Sequence, residues 1–153
     1  MFDALYPPGL QWYWKADFVN ELSDAAIALH VKYGSRVPSM HSTMHLYPID
    51  GAAHRVDSDE TAFSYREARY AEVIVGVDPD PANNERNIAW VQDYWLALHP
   101  HSAGGGYINM MMEEGEDRVK AAYRENYGRL VALKNIYDPT NLFHINQNIK
   151  PTV

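Results

Sequence analysis

Residues 126–151, NYGRLVALKNIYDPTNLFHINQNIKP, decide how this chain is read. Leu130, Leu133 and Tyr137 recur at helical spacing with Val131 and Ile136 beside them, and Arg129 and Lys134 fall between. That pattern predicts a helix with an apolar stripe and a solvated face. Asp138-Pro139 ends it, because proline disfavours helical geometry in the residue before it and donates no backbone hydrogen; residues 138–141 are predicted as a turn. Leu142 and Phe143 re-anchor the chain. Asn146-Gln147-Asn148 then offers three consecutive amides, each a donor and an acceptor at once, so a polar surface is expected against the tail.

Upstream, residues 116–137 are predicted as helical with a break near Gly128. Gly104-Gly105-Gly106 leads into a short extended piece and reads as a hinge or a close backbone approach, since it precedes a strand and not the helix of a phosphate-binding loop. Residues 11–19 form a strand on their aromatic cluster, with Trp12, Trp14 and Ala16 on one face and Tyr13, Lys15 and Asp17 on the other. Asn20 or Ser23 caps a helix striped by Leu22, Ala26, Leu29 and Tyr33. A strand at 39–47, a short return strand at 52–56 and a β-branched strand at 70–77 follow. Asn83 or Asn84 caps the next helix, with a stripe of Ile88, Val91, Trp95 and Leu98. This order predicts an α+β fold: an antiparallel sheet with helices packed on one face in a ferredoxin-like arrangement, plus C-terminal helices and an extended tail.

At 153 residues the chain has the length of one domain. The expected divisions are an extended lead-in at 1–10, an α+β domain at 11–112, and C-terminal helices and tail at 113–153 that form one compact unit with it. A net charge of −7 with no basic run argues against a nucleic-acid partner or an anionic membrane. Without cysteine there is no disulfide, thiolate nucleophile or cysteine-ligated metal. Met1-Phe2-Asp3 lacks a basic and apolar leader, so a cytoplasmic location is the expectation. Histidines four apart at His41 and His45 would be separated by about 13 Å on a strand, and no metal site is expected.

The ending Asp138-Pro139, Asn141-Leu142-Phe143 and Gln147-Asn148-Ile149 resembles the C-terminal signature of the berberine-bridge-enzyme-like FAD-linked oxidases. The resemblance continues through Tyr107-Ile108-Asn109 to about Leu46, and more loosely to Pro7. It implies that the chain is the substrate-domain half and C-terminal tail of such an enzyme, with FAD as cofactor of the whole and a separate N-terminal FAD domain carrying most contacts. In the complete enzyme it implies hydride transfer from an alcohol, sugar or secondary metabolite to flavin, and a chain that is inactive alone. Tyr107, Asn109 and Gln147 correspond to cofactor-facing positions, with Tyr107 and Asn109 sharing a face of an extended segment. Several family types place a tyrosine base directly after that Asn; here the residue is Met110, whose thioether cannot take a proton.

Candidate replacements are His45 and Tyr65. His41, Thr43, His45 and Tyr47 alternate onto one strand face, and imidazole is the side chain that ordinarily exchanges protons near neutrality. Tyr65 belongs to the Phe-Ser-Tyr-Arg stretch that the family uses as a sheet strand. A competing expectation is a stand-alone binding module that kept the fold and lost the cofactor. A surface that once faced a flavin domain is apolar, and apolar faces find partners, so a homodimer is expected on either reading.

Overall fold

The computed structural model describes residues 6–153; the first five residues of the expected lead-in lie outside the described residues. Three strands, β1 (Gln11–Val19), β2 (Thr43–Pro48) and β3 (Tyr70–Asp78), form an antiparallel sheet in the order β1-β3-β2. The fold is α+β, as its sequence pattern predicts.

Register fixes which residues share a face. Directly paired residues lie on the same side, so Trp14, Val75 and Thr43 form one row across the sheet, Ala16, Val73 and His45 the next, and Phe18, Ala71 and Tyr47 a third. The other face carries Lys15, Ile74 and Met44, then Asp17, Glu72 and Leu46. Helices α1 (Asp24–Gly34) and α2 (Asn84–Leu98) cover this second face. Ser23 caps α1, its hydroxyl accepting from the Ala26 amide at 3.2 Å. The buried stripe of α2 runs through Asn87, Trp90, Val91, Tyr94 and Leu98, rotated from the predicted one so that Trp95 is only partly buried. Ala26, Ile74, Trp90, Val91, Tyr94 and Leu98 make the main core. Gly76 permits this packing: a Cβ there would lie 3.0 Å from Val91 Cγ2 and 3.1 Å from the Asn87 carbonyl oxygen.

The free edge of β1 is closed by the glycine segment. Ala103 N donates to the Phe18 carbonyl at 2.7 Å and Phe18 N to the Gly105 carbonyl at 2.6 Å. A Cβ on Gly105 would meet the Tyr65 hydroxyl at 2.1 Å, and one on Gly106 the Ala16 carbonyl oxygen at 2.5 Å. The triple glycine is therefore a close backbone approach. The edge of β2 away from β3 pairs with no other strand among the described residues.

Several predicted boundaries move. The strand expected from residue 39 begins at Thr43, because residues 39–42 make a turn in which the Ser42 hydroxyl takes the Val77 amide at 3.0 Å. The expected return strand at 52–56 is a 3-10 turn, Ala53–Arg55. The piece after the glycines is a 3-10 turn at Ile108–Met110. The long helix breaks at Arg124, between α3 (Glu116–Tyr123) and α4 (Asn126–Tyr137), and runs through Gly128. Arg124 adopts φ 49°, held by its guanidinium 3.5 Å from the Tyr65 ring centroid and by its ion pair with Glu67.

The C-terminal part of the predicted apolar stripe of α4 stays in solvent, with Leu133 42%, Ile136 69% and Tyr137 81% exposed, while Leu130 and Val131 are partly buried. Leu142, Phe143 and Ile145 of the tail are exposed beside it in sequence.

Candidate functional site

The sheet face opposite α1 and α2 opens into a cavity of about 820 Å³, floored by the first two rows of the sheet. Trp14, Val73 and Val75 make its base, Met110 and Met112 one wall, and Thr43 and His45 the β2 side. A 2.8 Å hydrogen bond links Thr43 Oγ1 to His45 Nε2, and the His45 ring stacks on Tyr47 at 5.4 Å. With Nε2 engaged, Nδ1 is the nitrogen left for anything in the cavity.

A second cavity of about 430 Å³ adjoins the first through two shared residues, Trp14 and Asn109. Its lining is polar on the tail side, where Asn146 and Gln147 face Asn109. Gln147 Nε2 donates to the carbonyls of Met111 at 2.8 Å and Met112 at 3.1 Å, which is the polar surface the tail was expected to meet. Asn148 Oδ1 is buried with no partner among the described residues. The turn that aims this tail is held by Asp138, whose carboxylate accepts from the amides of Leu142 at 2.7 Å and Phe143 at 3.0 Å and pairs with Lys134. The Lys134 ammonium, then these amides, holds the Asp138 carboxyl below the usual carboxylate range.

The sequence-predicted residues separate into two groups. His45, Asn109 and Met110 meet at the larger cavity, and Asn109 and Gln147 at the smaller. Tyr107 and Asn109 line different pockets: the Tyr107 ring lies 6.1 Å from Phe63, in an apolar pocket that Phe18 also lines. Its hydroxyl still accepts from Asn109 Nδ2 at 3.0 Å and so steadies that amide. Tyr65 reaches neither cavity. It is 2% exposed, stacked on Phe18 at 4.4 Å, and its hydroxyl donates to the Ala121 carbonyl at 2.9 Å, so the fold takes it as a core residue and not as a base. Trp12, Trp14 and Met112 went unassigned to a site in the sequence, although the alternation of Trp12 and Trp14 had put them on one face.

Behind the cavity, the helix-covered face holds a charged network. Asp17, 2% exposed, lies 2.7 Å from His99 Nδ1 and accepts from Arg118 Nη2 at 2.9 Å; Lys15 donates to Glu114 at 2.6 Å. Burial raises the Asp17 carboxyl despite these partners. Its ladder partner Glu72 is pushed up to about 7 by burial, and then by the charge of Asp17.

Residues 106–150 match the family described as berberine and berberine like. This span holds Tyr107, Asn109, Met110 and Gln147. The chain carries a berberine-like segment and is similar along most of its length to FAD-linked oxidoreductases. It is 31% identical over 130 residues to the uncharacterized FAD-linked oxidoreductase YgaK of Bacillus subtilis, a match covering 85% of this chain and 29% of that protein. An FAD-linked oxidoreductase of Dictyostelium discoideum is 26% identical over 153 residues, covering 99% of this chain and 33% of its own. The berberine-bridge-like chain thus spans about a third or less of the curated relatives it matches. Among solved structures, the glycopeptide hexose oxidase DBV29 superposes with a TM-score of 0.83 at 23% identity, over 94% of this chain and 33% of that one. BBE-like 28 of Arabidopsis thaliana gives 0.80 at 21% identity, over 95% and 34%. At these identities the structures establish the shared fold. FAD is the cofactor that the family implies for the complete enzyme.

Proposed function

We propose that this chain is the substrate-facing portion of an FAD-dependent oxidoreductase and is catalytically incomplete by itself. The observation that carries the reading is the pair of adjoining cavities, one apolar on the open sheet face and one polar at the tail, joined at Trp14 and Asn109. The polar set fits a flavin edge: Asn146 can give and accept hydrogen bonds, Asn109 keeps Oδ1 and one Nδ2 hydrogen, and Gln147, whose Nε2 is spent on Met111 and Met112, keeps Oε1 as an acceptor. Bound flavin would supply the redox chemistry, receiving a hydride from an alcohol, sugar or secondary-metabolite substrate. Tyr107 orients Asn109, Trp14 separates the two spaces, and His45 Nδ1 takes the substrate hydroxyl proton that Met110 cannot.

An N-terminal FAD domain is the proposed partner of the exposed apolar side of α4 and the tail. A homodimer that has lost the cofactor is the second reading, favoured by the same exposed Leu133, Ile136 and Phe143. A cytoplasmic location belongs to the proposal as well.

Titration of the chain with FAD, followed by flavin fluorescence and the visible bands, tests the first reading. Saturable binding that weakens in Asn109→Ala and Gln147→Ala supports it. No binding up to high micromolar FAD would mean that the chain is half a site at most; binding indifferent to both substitutions would turn the assignment to the second reading, and sedimentation showing only monomer at micromolar concentration would then remove that one too. Flavin-dependent turnover by the chain alone would refute its incompleteness.

A further inference from the structure

We infer that the larger cavity takes a planar aromatic molecule carrying one hydroxyl, and not a carbohydrate. The inference rests on the reading of the open sheet face as the substrate wall and adds the class of substrate. Its first support is the surface itself. Trp14, Val73, Val75, Met110 and Met112 form an almost continuous apolar floor and wall, and Trp12, 43% exposed, extends it at the rim. Indoles, thioethers and β-branched methyls offer a flat aromatic ring dispersion contacts on both sides, and methionine sulfur adapts to ring edges.

The second support is how few polar groups the floor and the methionine wall carry: Val73, Val75, Met110 and Met112 have none, and Trp14 only its indole N–H. Thr43 Oγ1 and His45 Nε2 are bonded to each other, and Asn109 Nδ2 is bonded to Tyr107. Beyond the floor and the methionine wall, His45 Nδ1, Asn109 Oδ1 and the Tyr47 hydroxyl stay unspent among the described residues, and Tyr6 also lines the space. An indole can stack on a sugar ring, but a sugar site surrounds that contact with donors and acceptors for the ring hydroxyls. Here the flanks are Val75, Met110 and Met112, and most hydroxyls of a hexose would lose water without gaining a partner. One hydroxyl, placed at the β2 side, is what His45 can serve.

Calorimetric titration of the full chain with 2-naphthylmethanol, naphthalene and methyl β-glucoside tests the inference. Saturable 1:1 binding of 2-naphthylmethanol is expected, at least tenfold tighter than the glucoside. Val75→Lys, in the middle of the floor, should abolish it. Because that variant can disturb the sheet, Met110→Ala provides a milder one, with several-fold weaker binding expected. His45→Ala should leave the aromatic contact and erase the preference for 2-naphthylmethanol over naphthalene. Glucoside binding of equal or greater strength, no 2-naphthylmethanol binding at all, or binding unchanged in Met110→Ala and in a folded Val75→Lys would overturn the inference. FAD titration of the same samples keeps the two readings apart: flavin binding that weakens in Asn109→Ala and Gln147→Ala without 2-naphthylmethanol binding rejects the substrate class alone, and 2-naphthylmethanol binding with flavin binding indifferent to those substitutions rejects the cofactor-facing assignment alone.

Discussion

Replacing Glu72 with glutamine is expected to stabilise the fold by an amount that grows with pH. The side chain is 3% exposed on the helix-covered face, beside Asp17 in the ladder and 3.5 Å from His30 Nε2. Burial, and then the Asp17 charge, raises its pKa from 4.5 to about 7. The unfolded chain loses that proton near 4.5 while the folded chain keeps it to about 7, so across this window the folded state holds more protons and stability falls as pH rises. At about 1.4 kcal/mol per pH unit, the penalty is about 3 kcal/mol, complete above pH 7 and absent below the unfolded value. The substituted amide is neutral throughout. Parent and Glu72→Gln should therefore have equal stability near pH 4 and differ by about 3 kcal/mol near pH 8, or about 6–12 °C in Tm for a chain of this size. Burial holds the His30 ring below its ordinary value, but His30 is common to both proteins and its contribution largely cancels. Urea unfolding followed by circular dichroism at both pH values measures the difference. A gap independent of pH, or a variant less stable than the parent at pH 8, would refute the reasoning.

Three further outcomes follow from the packing. Gly105→Ala drives a methyl into the Tyr65 hydroxyl and the Ala121 carbonyl, and should lower stability by about 1–3 kcal/mol; an unchanged urea midpoint would contradict the close approach. Ser42→Ala leaves the buried Val77 amide without its acceptor and should cost about 1–3 kcal/mol by the same measurement, whereas Ser42→Thr should retain most of the stability. Asp138→Asn removes the charge that gathers Lys134 and two tail amides, so limited proteolysis should cut near residues 142–146 faster than in the parent. Because this carboxyl is depressed, the parent's own protection should be lost only as pH falls through the lowered value. Equal cutting rates would show that the carboxylate does not hold the turn.

What the sequence disclosed was whatever depends on neighbours along the chain. The alternation at Trp12, Trp14 and Ala16 placed β1 and its two faces, and the β-branched run at 70–77 placed β3, because a strand buried on one or both sides needs those residues locally. Asp138-Pro139 ended α4 for the same reason. What it concealed was set by contacts distant in sequence. Gly128 looked like the helix break, yet Arg124 breaks the helix because Tyr65 and Glu67 hold its backbone at positive φ. Leu133, Ile136 and Tyr137 have the spacing of a buried stripe, but no partner covers them among the described residues. At the site, the strand alternation gave His45, and resemblance gave Asn109 and Gln147. Tyr65 could not be told from a site residue until Phe18 and Arg124 were seen to enclose it. That Trp14 borders both cavities is a property of the tail folding back, which no local pattern encodes.

The one-sided pairing of β2 has a consequence for how the sheet exchanges hydrogen with solvent. β3 is bonded on both flanks, and β1 is bonded by β3 along its length and by the glycine segment at Phe18. Amide protection should therefore be deepest in β3 and shallower in β1. Along β2 it should alternate, each amide aimed at β3 exchanging slowly and the next one, aimed away, exchanging fast, until Pro48 contributes no amide at all. Thr43 and His45 line the cavity from this strand, so the side of the cavity that carries His45 is more readily opened than its floor on β3.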